Sequence, residues 1–185
     1  MVFGIENCKT LCIAEGKLEM RNFTTEDDAM GAMNEDDMYR YLGHMQAKQI
    51  KHARMKQKVG EEYLNRTKSV FKTKLNGKNT IKAINVYGTP VLTVSFGIVK
   101  WTATDLEKLQ TKMRTLRTRY RFHHPRAAKE RLTLPRQMGG RELIETTRLH
   151  DKQVILLQTH FLNKQVTSSL HAALVKADDR CTPLD

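Results

Sequence analysis

Apolar positions recur at helical steps from Lys48 to about Leu75. Met55, Val59, Tyr63 and Val70 form the stripe, and Leu64, Phe71 and Leu75 widen it. Asn76-Gly77 stops the pattern, so a helix about 40 Å long is predicted. Its other face carries Lys48, Lys51, Arg54, Lys58, Arg66, Lys68 and Lys72. A second stripe, Leu106, Leu109, Met113, Leu116 and Tyr120, opens on a capping-box pattern at Thr104–Glu107 and ends at His123-His124-Pro125. Lys108, Lys112 and Arg119 line one flank of this predicted helix, and Arg114, Arg117 and Arg121 line another. Between the two stripes, residues 78–101 are ambiguous. VLTVSFGIVKW has the β-branched content of a buried strand, yet Ile81, Ile84 and Tyr87 keep helical spacing. Toward the C-terminus, LTLPRQMGGREL alternates up to Leu134 and turns at Gly139-Gly140, and helices are predicted over 141–160 and 165–177.

The N-terminal pattern differs. TLCIAEGKLEM reads as a hairpin turning at Glu15-Gly16, residues 24–37 as an acidic surface loop, and MYRYLGHMQ as a short strand. The expected class is therefore α+β, mostly α, with a small N-terminal hairpin followed by a helical bundle.

Charge sharpens this picture. The 185 residues carry a formal net charge of +12. Residues 1–38 hold nine acids against three bases, a net of −6, which leaves +18 on the remainder. The stretch TKMRTLRTRYRFHHPR, residues 111–126, has six lysines and arginines and no acid. Such asymmetry points to a polyanionic partner, nucleic acid first and an anionic membrane second. The plainer alternative is solubility charge on solvated helix faces, at the cost of self-repulsion. Cys8, Cys12 and Cys181 are too few for a disulfide framework and fit a reducing compartment. No secretory leader or apolar span is legible, so an intracellular protein, nuclear or cytoplasmic, is expected, with no membrane partner. Cys8 and Cys12 have a zinc-like spacing but no second pair, so they read as structural thiols and no metal ligands are assigned. No nucleophile elbow, phosphate-binding glycine loop or zincin motif is present.

Four strings occur in a telling order: FGIENCKT, then YRYLG, then YGTPVLTVSFGIVKWTATDLEKL, then RFHHPRAAKERLTLPRQMGGREL. Together they resemble the reverse transcriptase of non-long-terminal-repeat (LINE-type) retrotransposons, an RNA-directed DNA polymerase, over nearly the whole chain. The resemblance implies a partial palm at residues 1–46 and a helical thumb-like domain at 47–185. It implies that Lys9 sits near the incoming triphosphate as a general acid, although a strand-edge lysine in solvent reads equally well. YRYLG resembles the primer grip, with Tyr39, Tyr41 and Leu42 as its apolar body and Gly43 admitting close backbone; Tyr41 and Leu42 as plain core residues are the alternative.

The resemblance also makes residues 78–101 helical, with Pro90 as a kink. The thumb grips an RNA–DNA hybrid or duplex by its backbone, without regard to sequence. The implied contacts are Lys51, Arg54, Lys58, Lys108, Lys112, Arg114, Arg117, Arg119, Arg121, His123, His124 and Arg126. Glu142 stands where the family generally has glycine, and Val94 where tyrosine is common. The family's metal-binding aspartates precede FGIENCKT, so this chain is expected to hold no Mg²⁺ and to lack polymerase activity alone. The absent palm and fingers are possible partners. A helical protein-interaction module and a non-functional truncated copy are the alternative readings.

Overall fold

The apolar stripes become helices. In the computed structural model, residues 10, 12–14, 17–19, 21, 23–24, 29–33, 39–41, 44–46 and 51–177 are described. The chain divides into two compact units, Met1–Met55 and Lys56–Asp185. Helix α1, His52–Lys72, buries Tyr63, Thr67 and Val70. It ends earlier than Asn76-Gly77, because Asn76 is the N-cap of the next helix and accepts from the Asn79 amide at 2.9 Å.

The ambiguous segment is helical in two halves around a wide turn. Helix α2, Gly77–Ala83, passes into a π-helical turn at Ile84–Gly88 and then into α3, Thr89–Phe96. Pro90 explains the turn. Inside a regular helix its ring would collide with the carbonyl one turn back, and the wider π geometry relieves that collision. The Thr89 amide and hydroxyl both donate to the Ile84 carbonyl instead, the hydroxyl at 3.2 Å. Gly88 lets this segment cross α1 closely, since a Cβ there would stand 3.2 Å from Thr67 Oγ1. The helix stops at Phe96, short of residue 101. The amides of Ile98 and Val99 fold back onto Ser95 O, and Trp101 Nε1 donates to Ser95 Oγ at 3.1 Å.

Helix α4, Ala103–Arg119, is capped two positions earlier than expected. Thr102 and Asp105 form the reciprocal capping box, whereas Thr104 lies inside the first turn. Leu106, Leu109 and Met113 are buried as the stripe predicts. The helix closes before His123. The amides of Arg121 and Phe122 bond to Thr118 O and Arg117 O, a Schellman arrangement with Arg121 left-handed at φ 55°.

Helices α1 and α4 lie side by side and run parallel. Lys56 Nζ meets Asp105 Oδ2 at 2.6 Å across 49 positions of sequence. The same offset joins Gly60 to Leu109 and Phe71 to Tyr120, whose rings stack at 5.6 Å. The Lys56 ammonium, helped by the Thr102 hydroxyl, holds the Asp105 carboxyl down at about 2. A depressed carboxyl contributes stability above its unfolded pKa and loses it as pH falls through the folded value. Thermal denaturation is therefore expected to show Asp105→Asn losing less stability than the parent between about pH 4 and pH 2. Equal acid sensitivity would remove this contact from the account.

The remainder is short pieces and two helices. Helix α5, Glu130–Thr133, leads to a 3₁₀ turn at Arg136–Met138, then to α6, Thr146–Lys164, and α7, Ser169–Ala177. The strand expected up to Leu134 is thus a helical turn followed by a tight loop. That loop returns on itself through Gly140 N to Pro135 O and Leu143 N to Leu132 O, at 3.0 and 2.7 Å. Asn85 clamps it by donating to Glu142 O at 2.8 Å and accepting from Ile144 N at 3.1 Å.

The expected α+β class is overturned: the protein is mostly helical, and among the described residues no palm-like hairpin remnant is seen as a layer of the fold. Among the described residues, strand pairing consists of three separate two-stranded ladders, β1 Cys12–Ala14 with β2 Lys17–Glu19, β3 Phe23–Thr24 with β4 Ala29–Met30, and β5 Tyr39–Tyr41 with β6 His44–Gln46, and one parallel bridge between Thr10 and Ala32. Pairs this short do not merge into a sheet, and an isolated two-stranded ladder contributes little stability of its own.

Candidate nucleic-acid interface

The basic residues of α4 separate by helical phase. Lys108, Lys112 and Arg119 recur at steps of four and seven and are all exposed, opposite the buried Leu106, Leu109 and Met113. They form one row about 16 Å long. The other predicted flank does not hold together. Arg114 is half-buried, Arg117 is only 9% exposed, and Arg121 lies beyond the helix in its left-handed cap. Arg117 follows Met113 by four residues, so it falls on the core side of α4 rather than beside it.

On α1, Lys58, Lys68 and Lys72 are exposed. Because α1 and α4 run parallel, this row and the α4 row ascend together. Lys51 and Arg54 are exposed at the start of α1. Arg126 is exposed in the loop after α4, where its amide donates to His124 Nδ1 at 3.2 Å. His123 Nε2 lies 3.3 Å from Ala127 O, so both histidines help shape the loop. Tyr39 and Tyr41 lie on β5, paired with Gln46 and His44. Leu42, Gly43 and Lys9 lie outside the described residues.

Sequence reasoning missed a cleft of about 360 Å³ beneath α4, lined by Tyr63, Arg114, Arg117, Lys129, Thr146 and Arg148 among others. Burial lowers the Arg117 pKa, against the pull of Tyr63, and burial pushes the Tyr63 hydroxyl up to about 12. Arg117 Nε and Thr146 Oγ1 are buried there without a hydrogen-bond partner among the described residues. The available signal was an arginine in phase with an apolar stripe.

Among the described residues there is no group of three or more His, Cys, Asp or Glu placed to hold a metal ion. Cys12 is a free thiol. No helix among the described residues is long and apolar enough to cross a membrane. Val94, in place of the expected tyrosine, is 63% exposed on α3, and Glu142, in place of glycine, adopts a left-handed φ of 61°. Comparison of the chain with family models, curated proteins and solved structures finds no match.

Proposed function

We propose that the helical unit binds an RNA–DNA hybrid or other nucleic-acid duplex through its phosphates, as the thumb of a LINE-type reverse transcriptase would. The observation that carries the reading is the exposed row Lys108, Lys112 and Arg119, free of acids along its length. Over about 16 Å a duplex presents about nine phosphates, ample for three contacts. The left-handed Glu142 adds support, because that conformation favours the glycine that the resemblance places there. Phosphate contacts carry no base information, so hybrids of unrelated sequence are expected to bind with dissociation constants within about twofold of each other. Anisotropy titrations check this, and a strong preference for one sequence would contradict it.

A second reading, a helical protein-interaction module, is favoured by a different surface. Ile155, Leu156, Leu162, Val166, Leu170 and Leu174 are exposed along α6 and α7 and their connection. Complex formation indifferent to salt would select that reading over the first.

A further inference from the structure

We infer that the cleft beneath α4 is a binding site for a dianionic phosphate group. The motive is an energetic imbalance. A guanidinium withdrawn from water is tolerated when an anion or hydrogen-bond acceptors replace the lost hydration. Arg117 is nine-tenths buried, and its Nε has no partner among the described residues. The Thr146 hydroxyl, 5% exposed and lining the same cleft, is likewise unpartnered. Both side chains line one cavity, and a small turn of each brings its orphaned atom to a ligand there that accepts from both.

The charge of the walls selects its class. Arg114, Arg117, Lys129 and Arg148 face Glu130 and Glu145, so four cations meet two anions and leave a net +2. Glu145 is already engaged by Arg148 Nε at 3.2 Å. Thr146 is the first residue of α6, a helix of 19 residues, whose free amides add further donors. A phosphate dianion neutralises the excess and presents oxygens to a planar fork and a hydroxyl together. The volume of about 360 Å³ exceeds a bare phosphate and leaves room for the body of a phosphate monoester against Leu109 and Met113. This site is separate from the outer row on α4, so its fate does not depend on duplex binding.

The test is thermal denaturation of the full chain in inorganic phosphate against chloride at equal ionic strength, with a nucleoside monophosphate as a second arm. A rise in Tm of about 5 °C at 10 mM phosphate is expected, corresponding to a dissociation constant of about 1 mM. A larger rise with the monophosphate assigns the site to esters, and an equal rise assigns it to the phosphate group alone. Arg117→Met is expected to abolish the shift while raising Tm in chloride, because it removes a buried charge whose Nε has no partner among the described residues. A merely structural arginine would instead lower Tm on replacement. Thr146→Val, which keeps the side-chain shape, is expected to reduce the shift by at least half. Equal Tm for the parent in phosphate and chloride would overturn the inference, as would an undiminished shift in Arg117→Met.

Discussion

Reversing Lys108, Lys112 and Arg119 to glutamate is expected to weaken duplex binding by roughly 10³-fold at 0.1 M salt. Each phosphate neutralised by a side chain releases condensed counterions, and at this salt concentration each release is worth nearly a factor of ten. Three releases lost together give the stated size, and repulsion by the new acids adds to it. Stability is expected to change little, because all three side chains are exposed and make no ion pair or hydrogen bond among the described residues. That pairing of results separates loss of an interface from loss of the fold. Reversal of Arg117 would confuse the two, since that side chain is buried. Binding within threefold of the parent would mean that the α4 row is ordinary solvated charge.

The largest expected effect on stability belongs to Gly140→Ala. A Cβ at Gly140 would stand 1.9 Å from the Leu134 carbonyl oxygen, a backbone atom that cannot swing aside. The loop must open, which threatens the bonds from Gly140 N to Pro135 O, Glu142 N to Leu134 O and Leu143 N to Leu132 O. Overpacking and the lost bonds together are expected to cost about 3–5 kcal/mol, read as a fall in the denaturant midpoint. Gly139→Ala is the natural comparison. Its φ of 77° is strained for alanine, but nothing lies within 4 Å of the new atom. Its expected cost is only about 1–2 kcal/mol. Equal losses from the two changes would contradict the geometry of this turn.

The contrast between those neighbouring glycines shows where the sequence was informative. Gly139-Gly140 announced a turn, but nothing in the letters revealed which glycine meets backbone, because Leu134 is brought there by the loop itself. The α4 core side was legible for a stronger reason: Leu106, Leu109 and Met113 repeat at helical steps, and burial follows that period. Arg117 obeys the same period. Its charge disguised it as a surface residue, and only its phase relative to Met113 places it inside. The cap was displaced for a similar reason. Thr102-x-x-Asp105 and Thr104-x-x-Glu107 carry the same pattern, and Lys56, brought over by α1, pairs with Asp105 in the first of them.

Residues 78–101 were misleading on propensity alone. The segment is helical with one buried face, where Ile81, Ile84, Leu92 and Phe96 are almost fully enclosed, while the β-branched Val86 and Val94 stand exposed. Tertiary burial decides the outcome there, and the π turn answers a proline that periodicity could not place. The N-terminal strands met the opposite fate. Alternation marked pairing, but ladders of two or three residues do not set the class of a chain whose helices bury its main core.

The proposed function requires that cations in a row on α4 meet the phosphates of a duplex. The most direct measurement is the slope of log K against log salt for a hybrid duplex, taken on the parent and on the triple glutamate variant. The parent is predicted to fall with a slope of about −3 or steeper, and the variant to be shallower by roughly 2.7. Identical slopes for the two proteins, or a parent indifferent to salt, would contradict it.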